Sequence, residues 1–556
     1  MSSSEDRTAA RHLRGWLAYA FASEVFAVVG LSVFLPICLE QFARDNGYLL
    51  PDKTERCTSA IGITMADDVR CVVKIGWGWM DTASFSLYVY SAAVAIQALT
   101  VISMGGIADH PPHRKPVLLT FAYLGAISAI LFFALPSSSP LWPLVGILAC
   151  GSNVGFGVSV VAMNSYLPNL ARETKEVRAA LAELRIQQEA ELADSDIDLS
   201  SPPKVTAEQT YHAAVARSTS QISAFGIALG YLAGVVLLIL TIIPVSKLHS
   251  STFSLRLAIG VSGIWWAIVS VPAGIWLPNS TSLTLVEGAE VRIQDAKQWS
   301  WTGEIKAAWV RLARMLRWSE IKRLRNSFWY LGAWFLLSDG FATITSTAVL
   351  FGKTSLHMAP SQLILVGAIT PISGIIGSLA WPILQRRLGW TELRMVKILV
   401  ALVSLIPLYG CLGFLPVFKN GAGNGGIPFG GLTTPGEMYG LAVFFGLIYG
   451  PFQGYSRSLF SFLIPPGEES RWYGLYSITD KSSSFVGPLI VGLISDVTGN
   501  IRNAFFFLAA MMWISLPLLG QVNVLQGKED AKQYIMDGGH DGLGGYTEVR
   551  GQEDDV

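Results

Sequence analysis

The sequence predicts an all-α integral membrane protein of about twelve transmembrane helices, arranged as two six-helix bundles. Three observations predict it. Hydrophobic residues make up 51% of the 556-residue chain and charged residues only 14%, against roughly a quarter charged in an average soluble domain, and mean hydropathy is +0.45. Apolar runs recur at a length that crosses about 30 Å of hydrocarbon, which takes about twenty residues of helix. A polar, basic segment divides those runs six from six.

In the first half the runs are 16–39, 83–107, 116–135, 141–167, 219–244 and 255–277. In the second they are 327–350, 361–384, 396–415, 438–463, 473–494 and 503–522. Each is expected to be helical, because lipid offers no partner to backbone N–H and C=O groups. A closed barrel would instead show alternating segments of about ten residues. The organisation that follows is a short N-terminal segment 1–15, an N-terminal bundle 16–277, a connector 278–326, a C-terminal bundle 327–522 and a disordered tail 523–556. The first fifteen residues are polar and the first apolar run is a full span, so no cleaved signal peptide is expected.

Lys and Arg set the orientation. They concentrate before the first run, around Arg114 and Lys115, in 168–218, in 278–326 and in 385–397, all on one side if the chain starts in the cytosol. Both termini are therefore expected there. The loop 40–82 then faces the opposite compartment with Cys57 and Cys71. Such compartments permit disulfides, so a bridge is expected, with two free thiols as the alternative. Segment 168–218 reads as a short helix followed by a flexible acidic and Ser-Pro-Pro stretch. In 303–325, Ile305, Trp309, Leu312 and Leu316 recur at helical spacing beside Arg311, Arg314, Arg317, Lys322, Arg323 and Arg325. That pattern describes a basic amphipathic helix on the cytosolic membrane face, or one packed on the protein's own underside. Trp299, Trp301 and Trp318 suit the interfacial level.

Ionisable groups inside apolar runs are costly, so each is a functional candidate. The first run carries Glu24, the fourth Asn153 and Asn164, the seventh Asp339, and the tenth Gln453 and Arg457. A buried carboxylate can accept an ammonium or take up a proton, and an arginine can grip a carboxylate through two N–H groups. Together they suit a zwitterion. Other readings stay open: Glu24 and Asp339 as a structural ion pair or as buried neutral acids, and Arg457, near Pro465-Pro466, reaching to the surface. Asp480 and Lys481 open the eleventh run. Neighbours in sequence point to different helix faces, so they are not expected to pair. The glycine series Gly226, Gly230, Gly234 and Gly446, Gly450, Gly454 read as helix-packing seams rather than ligand sites.

After the second run comes Gly105-Gly106-Ile107-Ala108-Asp109-His110-Pro111-Pro112-His113-Arg114-Lys115. It resembles the cytosolic loop pattern of the major facilitator superfamily, with Pro111-Pro112 as a departure, and Gln385-Arg386-Arg387-Leu388-Gly389 is a degraded echo in the second half. The resemblance implies that helices one, four, seven and ten line a central cavity, the four that hold the polar candidates. It implies a cytosolic gate at Gly106, Asp109, Arg114 and Lys115; Asp480 and Lys481, early in the eleventh run, are candidates to join Asp109 there.

A narrower resemblance is carried by Arg14-Gly15-Trp16 through Glu24, by Phe335-Leu336-Leu337-Ser338-Asp339-Gly340, and by Arg471-Trp472-Tyr473-Gly474-Leu475-Tyr476-Ser477-Ile478-Thr479-Asp480-Lys481 running on through Gly487-Pro488 to Asp496. These passages are similar to the fungal vacuolar amino-acid effluxers of the autophagy-related protein twenty-two family. The resemblance implies a multi-pass vacuolar membrane protein that exports amino acids, large neutral ones above all, to the cytosol by alternating access, with loop 40–82 in the vacuole lumen. An acidic lumen makes protons the natural coupling ion, with Glu24 or Asp339 as carrier; a uniporter would have the same fold. The competing readings are a transporter of another small solute and a non-transporting membrane scaffold or receptor.

Catalysis is not expected, and neither is a cofactor or ATP-driven pumping, for there is no phosphate-cradling glycine loop. The seven histidines show no metal-ligand cluster, and His110 and His113 flank a loop. Zero net charge argues against nucleic acid. Small solute, protons and membrane lipid are the expected partners, and a monomer the expected state. The sequon Asn279-Ser280-Thr281 falls on the cytosolic side and is expected to be unused.

Overall fold

Residues 2–57, 70–109, 111–193, 207–247, 251–278, 300–419, 429–465 and 469–536 are described in a computed structural model of the protein. Helix α1 runs over 2–45 and is interrupted by a π-helical stretch, Phe26–Phe34. It starts well before the apolar run, so the segment 1–15 is largely helix, and it ends inside the expected loop 40–82. A three-stranded antiparallel sheet follows: β1 Tyr48–Leu49, β2 Cys71–Ile75 and β3 Gly78–Asp81, with Val72 opposite Asp81 and Ile75 opposite Gly78. Cys57 and Cys71 form a disulfide.

The N-terminal half continues with α2 Thr82–Asp109, α3 Pro111–Ile130, α4 Leu144–Asn164, α5 Lys175–Ala193, α6 Ala207–Lys247 and α7 Thr252–Val269. The connector contributes α8 Trp301–Met315 and a short turn of helix, Trp318–Arg323, so the basic segment is two helices rather than one. The C-terminal half holds α9 Arg325–Thr354, α10 Pro360–Leu388, α11 Glu392–Leu412, α12 Pro435–Ser461, α13 Glu469–Ser483, α14 Val486–Thr498, α15 Ala504–Gly520 and α16 Val524–Met536. The last corrects the expectation of a wholly disordered tail: Asn326 accepts from the Asn523 N–H (2.9 Å) and donates to Asp530 (3.0 Å), which docks α16 on the start of α9. The sequon, Trp299 and the acidic stretch after Ala193 lie outside the described residues.

Among the described residues ten helices are long and apolar enough to cross a membrane. Helix α12 and the pair α13–α14 fill the tenth and eleventh places. The eleventh span is broken where one helix was expected. Pro488 has no N–H, and its ring excludes the carbonyl four residues back, at Ser484. The chain turns there, between α13 and α14.

The spans pack as two sets of six, α1 with α6 and α7, α2 and α3 with α4, and α3 with α7, against α9 and α11 with α15, and α10 and α11 with α12. The glycine series of α6 is a packing surface. A Cβ at Gly230 would stand 2.5 Å from the Glu24 side chain, Gly226 lies on Trp16 and Gly234 on Val28. Gly446 and Gly450 of α12 pack on Thr370 and Gly374 of α10, whereas Gly454 meets nothing. The two sets meet where α2 runs along α13 and α14, where α6 touches α10, and where the strand end of α1 meets α9. The end bearing the strands is called here the hairpin side, and the end bearing α5, α8 and α16 the terminal side.

Candidate functional site

Charged and phenolic groups converge at mid-depth from helices of both halves. Glu24 sits on α1 two residues before the π stretch and is half-buried. The π stretch has local causes: Pro36, just beyond it, returns no amide to its own turn, and Ser32 Oγ donates to the Ala27 carbonyl (2.8 Å). Such stretches mark functional positions in helices. Glu24 lies within electrostatic reach of Lys481 on α13 and of Tyr231 on α6. Tyr231 is also near Tyr449 and Arg457 of α12, and Lys481 is near Tyr90 of α2 and Tyr449. Gln453 hydrogen-bonds Tyr449. Glu24 and Lys481 thus sit on opposite bundles within electrostatic reach of each other, near Tyr90, Tyr231 and Tyr449, and no ion pair joins them among the described residues.

Lys481 pairs with Asp480 (3.2 Å), against the expectation from helix geometry. The lysine stem is long enough to fold back across the turn, and Asp480 is held towards it by a hydrogen bond from Ser338 of α9. This pair therefore belongs to the mid-depth cluster and is not gathered with Gly106, Arg114 and Lys115. Arg114 lies over the Tyr166 ring (5.1 Å to the centroid) and donates to the Ala108 carbonyl (3.1 Å), Lys115 donates to the Leu277 carbonyl (3.0 Å), and Gly106 packs on Ala308 and Arg311 of α8. Asp109 is the last residue of α2, and its side chain lies outside what is described.

The remaining candidates are engaged differently. Asp339 is 2% exposed. Its two carboxylate oxygens accept the Gly487 N–H (3.0 and 2.8 Å), and one accepts from Thr343 Oγ1 (3.2 Å). In an unbroken helix the Gly487 amide would bond within its own span. Asp339 therefore caps α14, where a carboxylate also suits the positive helix end, while lying within electrostatic reach of Tyr90. Asn153 is buried with its Nδ2 unpartnered among the described residues, while Asn164 and Arg457 are exposed.

On the hairpin side the bundles are bolted together by groups the sequence reading did not single out. Glu40 of α1 is fully buried and forms an ion pair with Lys353 of α9. Arg44 Nε (2.9 Å) and Thr82 Oγ1 (3.2 Å) donate to its other oxygen. Lys353 also donates to the Ile37 carbonyl (2.9 Å) and to Gln41 (3.1 Å). A second contact joins the strands to α14. The Asp81 N–H donates to Asp496 (2.7 Å), Tyr88 donates to the same carboxylate (3.4 Å), and Arg70 donates to the Ser495 and Asp496 carbonyls (3.4 and 3.2 Å). Arg70 thus serves the negative end of α14, and the adjacent Cys57–Cys71 bridge fixes its place. Burial, reinforced by the Glu40 and Asp496 charges and opposed by the Ala83 N–H and Arg70, pushes the Asp81 carboxyl up to about 6. Ser84 and Ser91 of α2 add bonds to the Gly492 and Phe485 carbonyls (3.0 and 2.7 Å). These side-chain contacts between the two sets of spans lie at mid-depth or on the hairpin side.

Solved structures show the same architecture at low identity. A bacterial homologue of the iron transporter ferroportin in an inward-facing state aligns with a TM-score of 0.53 at 13% identity, over 93% of this chain and 98% of that one. The inward open xylose transporter XylE from E. coli aligns at 0.51 and 10%, over 94% and 98%. The fold is that of the major facilitator superfamily. Sequence relatives are nearer. Autophagy-related protein 22 of Cryptococcus neoformans is 39% identical over 94% of this chain and 96% of its own length, and that of Coccidioides immitis 38% identical over 99% and 93%. A family model described as "Vacuole effluxer Atg22 like" matches residues 8–532. With the match running from α1 to α16, and so across both bundles, the hairpin and the mid-depth cluster alike, this chain belongs to the Atg22-like vacuole effluxer family.

Proposed function

We propose that the protein is a vacuolar membrane transporter that carries amino acids, large neutral ones above all, from the vacuole lumen to the cytosol by alternating access. The observation that carries this reading is that Glu24 and Lys481 stand on opposite bundles within electrostatic reach of each other with no ion pair between them among the described residues. An ammonium suits Glu24, a carboxylate suits Lys481 in place of its Asp480 partner, and Tyr90, Tyr231 and Tyr449 offer apolar faces with polar tips to a side chain between them. The family's description as an effluxer supports the direction, and the autophagy-related names of its relatives support a role in recycling degraded protein.

With both termini in the cytosol, the hairpin side is luminal and the closed end faces the lumen. Glu24 is the carboxylate placed to exchange a proton with the cargo site; Asp339 is committed to the α14 cap. Efflux of labelled amino acids from proteoliposomes tests the reading. Each of Glu24→Gln and Lys481→Gln removes one charge-assisted contact, for which about a 10- to 100-fold loss of flux is expected. Arg457→Gln, at an exposed site, is expected to change it less. Neutral amino-acid flux that survives both central substitutions would overturn the assignment.

A further inference from the structure

The connector carries a surface that transport of a zwitterion does not use. Helix α8 is pinned to α2. Ala308 and Met315 are buried, Ile305 and Leu312 pack on the core, Gly106 lies under Ala308 and Arg311, and the Trp309 indole N–H donates to Ser103 Oγ (3.2 Å). Ser103 continues the stripe of α2 that includes the exposed Ile96 and Leu99. In a membrane-spanning helix such a stripe faces lipid, so Trp309 stands at its foot, at the level where hydrocarbon gives way to headgroups.

Around it, Val310, Leu316 and Trp318 are exposed, Trp318 at 68%. Lys306, Arg317, Lys322, Arg323 and Arg325 are exposed among them. The two acids of the segment are engaged, Glu304 with Arg311 of the same helix (3.7 Å) and Glu320 with Tyr534 of α16 (2.7 Å). What remains outward is cationic and aromatic, and continuous with a lipid-facing helix.

We propose that residues 300–325 form a docking surface for anionic phospholipid headgroups of the terminal-side leaflet. The indoles and Leu316 enter the boundary layer, and Arg317, Lys322 and Arg323 take the phosphates. A protein partner would meet the same cations, but the run of apolar surface from α2 into Trp309 fits a lipid. The surface is fixed to α2 of one bundle and ends at Arg325, the first residue of α9 of the other, so leaflet charge acts on the joint between them.

The test uses the full chain in nanodiscs of phosphatidylcholine with or without phosphatidylserine, and native mass spectrometry of the lipid retained after detergent exchange. Each cation near an anionic leaflet contributes about fivefold, so R317Q/K322Q/R323Q is expected to lose about 100-fold in preference for the anionic lipid. R317K/R323K is expected to keep that preference, and melting in pure phosphatidylcholine to match the unsubstituted protein in both variants. Equal retention by the glutamine variant, displacement of the lipid by millimolar inorganic phosphate, or a lysine variant that behaves like the glutamine one would each overturn the proposal.

Discussion

Replacing Lys353 by Met is expected to release the hairpin-side closure. Glu40 is 0% exposed and Lys353 10%, and they belong to opposite bundles, so their pair exists only when that side is shut. Breaking a buried pair from one partner costs about 3–5 kcal/mol. Arg44 and Thr82, on the same bundle as Glu40, remain bonded to one carboxylate oxygen, which brings the expected cost down to about 2–3 kcal/mol. At about 1.4 kcal/mol per factor of ten, the closed population falls relative to the open one by about 30- to 150-fold. Cys38, on α1 near Lys353 and fully buried, reports the change. With Cys150 and Cys411 replaced by Ser and the Cys57–Cys71 bridge kept, its rate of reaction with a soluble maleimide should rise by that factor in Lys353→Met and return towards normal in Lys353→Arg. An unchanged rate in a Lys353→Met protein that melts normally would refute the reasoning, because it would mean that the pair does not distinguish the two states.

Two further outcomes are expected. The Asp81 carboxyl, raised to about 6 from an ordinary 3.8, binds a proton more tightly in the closed arrangement than in water. Closure should therefore strengthen as pH falls through about 6 and gain nothing more below about 4. Arg70, Arg44, Glu40, Asp496 and Tyr88 all face it. Cys38 labelling, taken relative to a free thiol at the same pH because the thiolate is the reacting form, should slow between pH 7 and 5, and Asp81→Asn should flatten that relative dependence; a relative slope that survives the substitution assigns the titration elsewhere. Gly230→Val places methyl groups against Glu24 and is expected to cost about 1–3 kcal/mol by overpacking, seen as a lower melting temperature and reduced flux, whereas Gly454→Ala, where nothing lies within 4 Å, should leave both intact.

Much of the fold was legible because lipid leaves the chain one choice. The apolar runs became helical, the eleventh as two helices, and residues 301–323 add helix between the two sets of spans. The ends were misjudged where polar helix finds a partner outside the membrane: residues before Trp16 stay helical as Asp6 pairs with Lys175 (3.2 Å) and His12 meets Glu173 (3.0 Å). Glu24 stood out as a lone acid in an apolar run. Asp339 stood out for the same reason, yet its work is to cap a helix whose break is written in Gly487-Pro488, a signal readable from the proline alone. Tyr90, Tyr231 and Tyr449 gave no signal, since tyrosine is ordinary in such runs. Glu40 and Lys353 lie at the ends of distant spans, and only the docking of one bundle on the other brings them together.

The break between α13 and α14 has a mechanical consequence. An unbroken eleventh span would tilt as one rod. Here Asp480 and Lys481 ride on one arm and Asp496 on the other, with the Asp339 carboxylate gripping the Gly487 amide between them. From Gly487 to Asp496 is about 14 Å of helix at 1.5 Å per residue, so a few degrees of swing at the joint displaces Asp496 by about an ångström. That is enough to spoil a 2.7 Å bond to the Asp81 amide. The eleventh span is a jointed strut, and its bearing is a single carboxylate from the neighbouring helix.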